Sequence, residues 1–100
     1  MSIRPGDGKT DFYIVAYDIP DDKRRTKVHK ILSGFGGWTQ FSLFECWLSP
    51  KELVILRQKL DKHLSAAKDR VRFYYLCDGC LKKVETIGME LPHDNTLYLV

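Results

Sequence analysis

An aspartate at the end of an apolar run is the first place where this sequence could do chemistry. Asp18 stands in Tyr17-Asp18-Ile19-Pro20-Asp21-Asp22. Strand alternation puts it on one face with Phe12, Ile14 and Ala16. A carboxylate on an apolar strand is costly unless it is hydrogen-bonded, paired or bound to metal. Two readings stand at this point: Asp18 caps the turn that follows it, or it is a hard oxygen ligand for a cation. Basic residues come next: Lys23, Arg24, Arg25, Lys27, His29 and Lys30, with five Lys or Arg inside eight positions. Such a face is either simply solvated or suited to phosphate contacts. Cations one helical turn after a carboxylate suit phosphodiester chemistry, with metal on the acid and the cation on the phosphate. Asp21 and Asp22 need no such role, since acidic residues favour a first helical turn.

The thiols and imidazoles offer less. Cys77-Asp78-Gly79-Cys80 is a lone CxxC, and zinc normally needs four ligands. A redox role calls for a thioredoxin-like context, which the order of elements does not suggest. The pair reads as a turn with incidental thiols and no stoichiometric zinc. His29, His63 and His93 have no partners at ligand spacing. Phe73, Tyr74 and Tyr75 fall on one strand, but no RNP-like pattern surrounds them, so they read as core or interface.

These groups must be positioned by strands and helices in alternation. Residues 12–19 form an aromatic and β-branched strand, apolar on both faces and therefore central. Pro20 ends it, and Asp21 and Asp22 open a helix whose buried stripe is Val28, Ile31, Leu32 and Phe35. Gly34, Gly36 and Gly37 stop that helix. Residues 38–40 and 43–48 make a hairpin, with Phe44, Cys46 and Leu48 on one face. Ser49-Pro50-Lys51-Glu52 is a capping box with proline at the first helical position, and the helix runs through Leu53, Leu56, Leu60 and Leu64. Residues 71–76 form another strand, residues 84–89 a short extra one, and residues 96–100 an apolar, strand-like end.

The predicted order is βαββαβ plus a tail, an α+β, ferredoxin-like antiparallel sheet with both helices on one face. The opposite face would then be bare yet apolar, which calls for a partner surface, most economically a second copy. Residues 1–11 read as a loose polar leader and residues 12–100 as a single domain. The chain has 100 residues, a net charge of +3 and 44% hydrophobic residues, which suit one globular domain that could bind nucleic acid but need not. No apolar run approaches the roughly 18 residues of a membrane span, and three cysteines argue against a secreted disulfide framework, so the expected location is the cytoplasm.

The combination Tyr17-Asp18-Ile19-x-Asp21-Asp22-x-x-Arg25-x-Lys27-Val28, followed by Gln40-x-Ser42-Leu43-Phe44-Glu45-Cys46 and Lys82-Lys83-Val84-Glu85, resembles a known family. It is similar to the smaller of the two universal CRISPR adaptation proteins. The resemblance implies a homodimer with sheets facing each other and Asp18 near the two-fold axis. There two copies would share one Mg²⁺ ion as metal ligand and catalytic group. It also implies that Arg25 neutralises phosphate charge, with Arg24, Arg25 and Lys27 as the nucleic-acid contacts. Family members are described as metal-dependent endoribonucleases or DNA endonucleases, and as DNA-binding scaffolds that bridge dimers of the CRISPR integrase. DNA, RNA and that integrase are the implied partners. The runner-up is a family of mRNA-cleaving toxins with the same fold. The residue pattern does depart from the family at a weak second strand and at Leu43, where valine is commoner.

Overall fold

The computed structural model describes residues 10–88. Seven elements follow in order: β1 (Asp11–Asp18), α1 (Asp22–Ser33), β2 (Gly37–Gln40), β3 (Leu43–Leu48), α2 (Pro50–Asp61), β4 (Arg70–Leu76) and a single-turn helix α3 (Asp78–Leu81). The strands form one sheet in the order β2-β3-β1-β4. Each neighbouring pair is antiparallel. This is the α+β, ferredoxin-like arrangement expected, and β1 is indeed an inner strand.

Local chemistry sets the element boundaries. Asp21 is the N-cap of α1 and accepts a hydrogen bond from the Arg24 backbone N–H at 2.8 Å. Ser49 and Glu52 close the expected capping box on α2, with N–H to oxygen distances of 3.1 and 2.9 Å. The β2–β3 turn is less regular. The pairing register shifts between Trp38 and Gln40, and Phe41 adopts a left-handed backbone with φ of 48°. Trp38 Nε1 donates to the Phe41 carbonyl at 2.7 Å, which helps hold a conformation that a residue with a Cβ rarely takes.

The core lies between the helices and one sheet face. Val15, Tyr17 and Ile19, then Phe44, Cys46 and Leu48, meet Val28 and Leu32 of α1 and Leu56 and Leu60 of α2. Leu64 packs on this cluster from beyond the end of α2. Removing a side chain as enclosed as Leu56 costs about 2–5 kcal/mol. Gly36 brings the chain from α1 into β2 so closely that a Cβ there would meet the Glu45 carbonyl and, at 2.5 Å, Cys46 Sγ.

Among the described residues the other sheet face carries no helix. The register lines up Phe12 with Trp47 and Leu76, Ile14 with Glu45 and Tyr74, and Ala16 with Leu43 and Arg72. This face is not uniformly bare. Phe12 is only 1% exposed, and the Trp47 ring stands edge-on to it at 5.0 Å. Elsewhere on the face Ile14, Ala16, Leu43 and Trp47 are partly buried and Tyr74 is exposed. One expectation needs revision: residues 84–88 form no strand. The turn expected at residues 77–80 is the single-turn helix α3 with Cys77 as its N-cap. The expected strand at residues 96–100 and the leader at residues 1–9 lie outside the described residues, and so does Met89.

Candidate functional site

Asp18 is the last residue of β1, and its side chain is exposed. By alternation it falls on the helix-free face, with Arg70 as its cross-strand neighbour on β4. No described residue hydrogen-bonds or pairs with its carboxylate. The N-cap of α1 is Asp21, so the turn-capping reading of Asp18 loses its purpose.

Arg25 acts on the turn just after Asp18. Its Nη1 donates to the Ile19 carbonyl at 2.8 Å and to the Pro20 carbonyl at 3.4 Å, while Nη2 pairs with Asp22. The guanidinium thus hooks the β1–α1 turn, yet its side chain stays 40% exposed. Beside it lies a pocket of about 440 Å³ lined by Tyr17, Arg25, Thr26, His29, Phe41 and Ser42. Burial pushes the Tyr17 hydroxyl above its ordinary pKa, against the pull of Arg25, so it keeps its proton at neutral pH. The hydroxyl shares a hydrogen bond of 3.1 Å with His29 Nδ1. The Phe41 ring, 83% exposed, stands at the edge of this pocket.

The basic helix does not act as one patch. Arg24 turns to Asp69, just before β4. Its Nε donates to Oδ2 at 2.7 Å and its Nη2 to Oδ1 at 3.0 Å. Asp69 also accepts the Ser65 N–H at 2.8 Å. The Nε–Nη2 edge of the Arg24 guanidinium is therefore held by Asp69. Lys27 faces elsewhere. With Lys30, Lys59 and Lys62 it borders a groove of about 570 Å³ between α1 and α2, and Phe35 contributes apolar lining. Lys59 Nζ lies 5.7 Å from the Phe35 ring centre, a cation–π contact.

Asp69 gives a pH prediction. The hydrogen bond from Arg24 lowers its pKa most, the Ser65 N–H lowers it further, and burial opposes both. Its native pKa therefore lies below the unfolded value of roughly 3.9. The stability this contributes is present above that pH and is lost as pH falls through the native value. Urea midpoints measured across acidic pH should fall less steeply in Asp69→Asn than in wild type.

Among the described residues no group of three or more His, Cys, Asp or Glu side chains could hold a metal ion. No described helix is long and apolar enough to cross a membrane. Sequence reasoning singled out Asp18, Arg24, Arg25 and Lys27 but not Asp69, Phe41, Lys59 or Lys62. Of these, only Lys59 and Lys62 carried a readable signal, their three-residue spacing on one helix.

Comparison with known proteins follows the same line. The family model described as "CRISPR associated protein Cas2" matches residues 11–84. A curated relative from Synechocystis, named CRISPR-associated endoribonuclease Cas2 3, is 42% identical over 76 residues, covering 76% of this chain and 83% of its own length. Among solved structures, Streptococcus pyogenes Cas2 matches with a TM-score of 0.68 and 32% identity, covering 77% of this chain and 99% of its own. A chain of a partial Cas6-RT-Cas1–Cas2 complex matches with a TM-score of 0.62 and 25% identity, over 77% of this chain and 90% of its own.

Proposed function

Because the chain belongs to the Cas2 family of CRISPR-associated proteins, we propose that it serves CRISPR adaptation as a homodimeric, Mg²⁺-dependent nuclease with Asp18 at its centre. The observation that carries this reading is Asp18 itself, exposed at the end of an inner strand with no described residue claiming its carboxylate. Support for the dimer comes from the helix-free sheet face, where Ile14, Ala16, Leu43 and Trp47 offer apolar surface. Trp47 Nε1 also lies buried without a hydrogen-bond partner among the described residues.

A single chain does not supply a Mg²⁺ site. A hard divalent ion wants several oxygen ligands, and a lone exposed carboxylate is one. As an oxygen donor Asp18 fits, and a two-fold axis near it would supply a second carboxylate. Bound there, Mg²⁺ would screen the charge of the scissile phosphate and make a water more acidic. Arg25 holds the turn that presents Asp18, and its solvent-facing side would offset phosphate charge. Tyr17 and His29 line the adjoining pocket and keep its wall hydrogen-bonded. The relative named an endoribonuclease favours RNA as the substrate, and the Cas1–Cas2 assembly favours the integrase Cas1 as partner. The family match puts the CRISPR reading ahead of the toxin reading.

The test is cleavage of single-stranded RNA and duplex DNA, with Mg²⁺ present or chelated, by wild type and Asp18→Ala side by side. No cutting by wild type, or equal cutting by the variant, hands the function to the alternative, a non-catalytic DNA scaffold between integrase dimers. Phosphate contact has its own test. Lys27→Ala should weaken binding across sequences and lower the slope of log affinity against log salt by about 1. Arg24→Ala should lower thermal stability and leave the salt slope close to wild type, because its guanidinium already serves Asp69.

A further inference from the structure

We propose that Cys77 and Cys80 form a redox-active dithiol, which exchanges with low-molecular-weight disulfides and closes to an intrachain disulfide. The proposal does not depend on the nuclease reading. β4 ends at Leu76 and runs directly into Cys77, and α3 begins at Asp78. Cys77 therefore stands at the junction of a strand and a single helical turn. Cys77 Sγ accepts the Cys80 backbone N–H at 3.4 Å. Cys77 is the N-cap of α3 and Cys80 its third residue, so the cap itself folds Cys77 Sγ back toward Cys80. Closure to disulfide geometry then needs side-chain rotation and a small adjustment of one turn. Both thiols are exposed, so a small disulfide can reach them.

The two sulfurs are not equivalent. Hydrogen bonds from the Cys80 backbone and then from its thiol hold Cys77 below the ordinary thiol pKa, against the Asp78 charge. Cys80 is raised, first by its hydrogen bond to Cys77. An attacking thiol with more thiolate beside a resolving thiol with less is the arrangement that exchange chemistry uses. Cys46 supplies an internal control. It is buried in the core, and burial pushes its thiol up to about 12.

The step balances with oxidised glutathione as co-reactant. The Cys77 thiolate attacks one glutathione sulfur, and the glutathione S–S bond breaks. One glutathione leaves as thiolate and takes up a proton. Cys80 then loses its proton to solvent and attacks Cys77 Sγ in the mixed disulfide, which expels the second glutathione. Two protein thiols become one disulfide, and one disulfide becomes two thiols.

The experiment exposes the full chain to graded mixtures of oxidised and reduced glutathione, read by intact mass and peptide mapping. Wild type should lose two hydrogens and yield a Cys77–Cys80 linked peptide, with Cys46 unmodified. Cys80→Ser should trap a stable glutathione adduct on Cys77. Cys77→Ser should add glutathione at Cys80 more slowly than Cys80→Ser adds it at Cys77. Separate adducts on both cysteines of wild type, without the internal link, overturn the proposal. So do equal rates in the two single variants. Both positions are exposed, and circular dichroism verifies that each variant is folded.

Discussion

Asp18→Asn is expected to abolish metal-dependent cleavage, by at least about a hundredfold, while leaving fold and dimer intact. A loss of that size is what removing one group from a preorganised, charge-stabilising site produces. The substitution keeps shape and removes charge. Because no described residue uses the carboxylate, the change breaks no ion pair or hydrogen bond of the described fold. Far-ultraviolet circular dichroism and the urea midpoint should therefore match wild type. Sedimentation should still show a dimer, and a sharper one if two facing carboxylates repel in the absence of metal. Adding excess Mg²⁺ should not rescue cutting, since the amide remains a poor ligand for a hard cation. If Asp18→Asn cuts as well as wild type, hydrolysis is a contaminant or is housed elsewhere.

Gly36→Ala is expected to be the most damaging single methyl in the sheet. The added Cβ would sit against the Glu45 carbonyl, 2.5 Å from Cys46 Sγ and 3.0 Å from Cys46 Cα. Two of those neighbours are backbone of β3, which is held in register with β1 and cannot easily retreat. Overpacking of this kind costs about 1–3 kcal/mol. A small domain has only roughly 5–15 kcal/mol in hand, and each kcal/mol moves the melting temperature by about 4–8 °C at this size. A fall of around 10 °C is the expected reading. Adding Cys46→Ala removes the sulfur clash but not the carbonyl clash. The double variant should recover less than the sulfur contact alone would suggest. A melting temperature unchanged in Gly36→Ala would mean that β2 shifts freely against β3. Gly34→Ala is a good control, because its Cβ would meet only the Ile31 carbonyl at 3.4 Å.

The parts of this molecule legible in the sequence are those set by neighbours along the chain. The two apolar faces of residues 12–19 pointed to an inner strand, and β1 does pair with both β3 and β4. The capping box at Ser49 and Glu52 fixed the start of α2 to the residue, because both hydrogen bonds are local. Asp18 was legible because an unburied charge at the end of an apolar strand breaks the pattern around it. What was not legible depends on contacts far apart in sequence. Arg24 looked like a phosphate ligand from the basic residues around it, and its closest partner Asp69 lies 45 residues on. The split of the basic helix into a turn-hooking Arg25 and a groove-lining Lys27 needed α2 in place. The Val84 segment looked strand-like from its apolar residues, yet Val84 and Ile87 are exposed and unpaired with the described sheet. Apolar composition without a strand to pair with does not make a strand.

A site completed only by a twin turns dilution into an off switch. Each protomer brings one Asp18 on its helix-free sheet face, so under the dimer reading an isolated chain holds half of a cation cage. Catalytic output per molecule would then fall with concentration below the dimer's dissociation constant, whereas an enzyme housed in one chain keeps its specific activity. Mixing wild type with an excess of Asp18→Asn would poison it, because most wild-type chains would be captured in lopsided pairs. At a ninefold excess, with random pairing, about a tenth of the wild-type chains would meet an intact twin. The surviving activity would report directly whether the two carboxylates work as one unit.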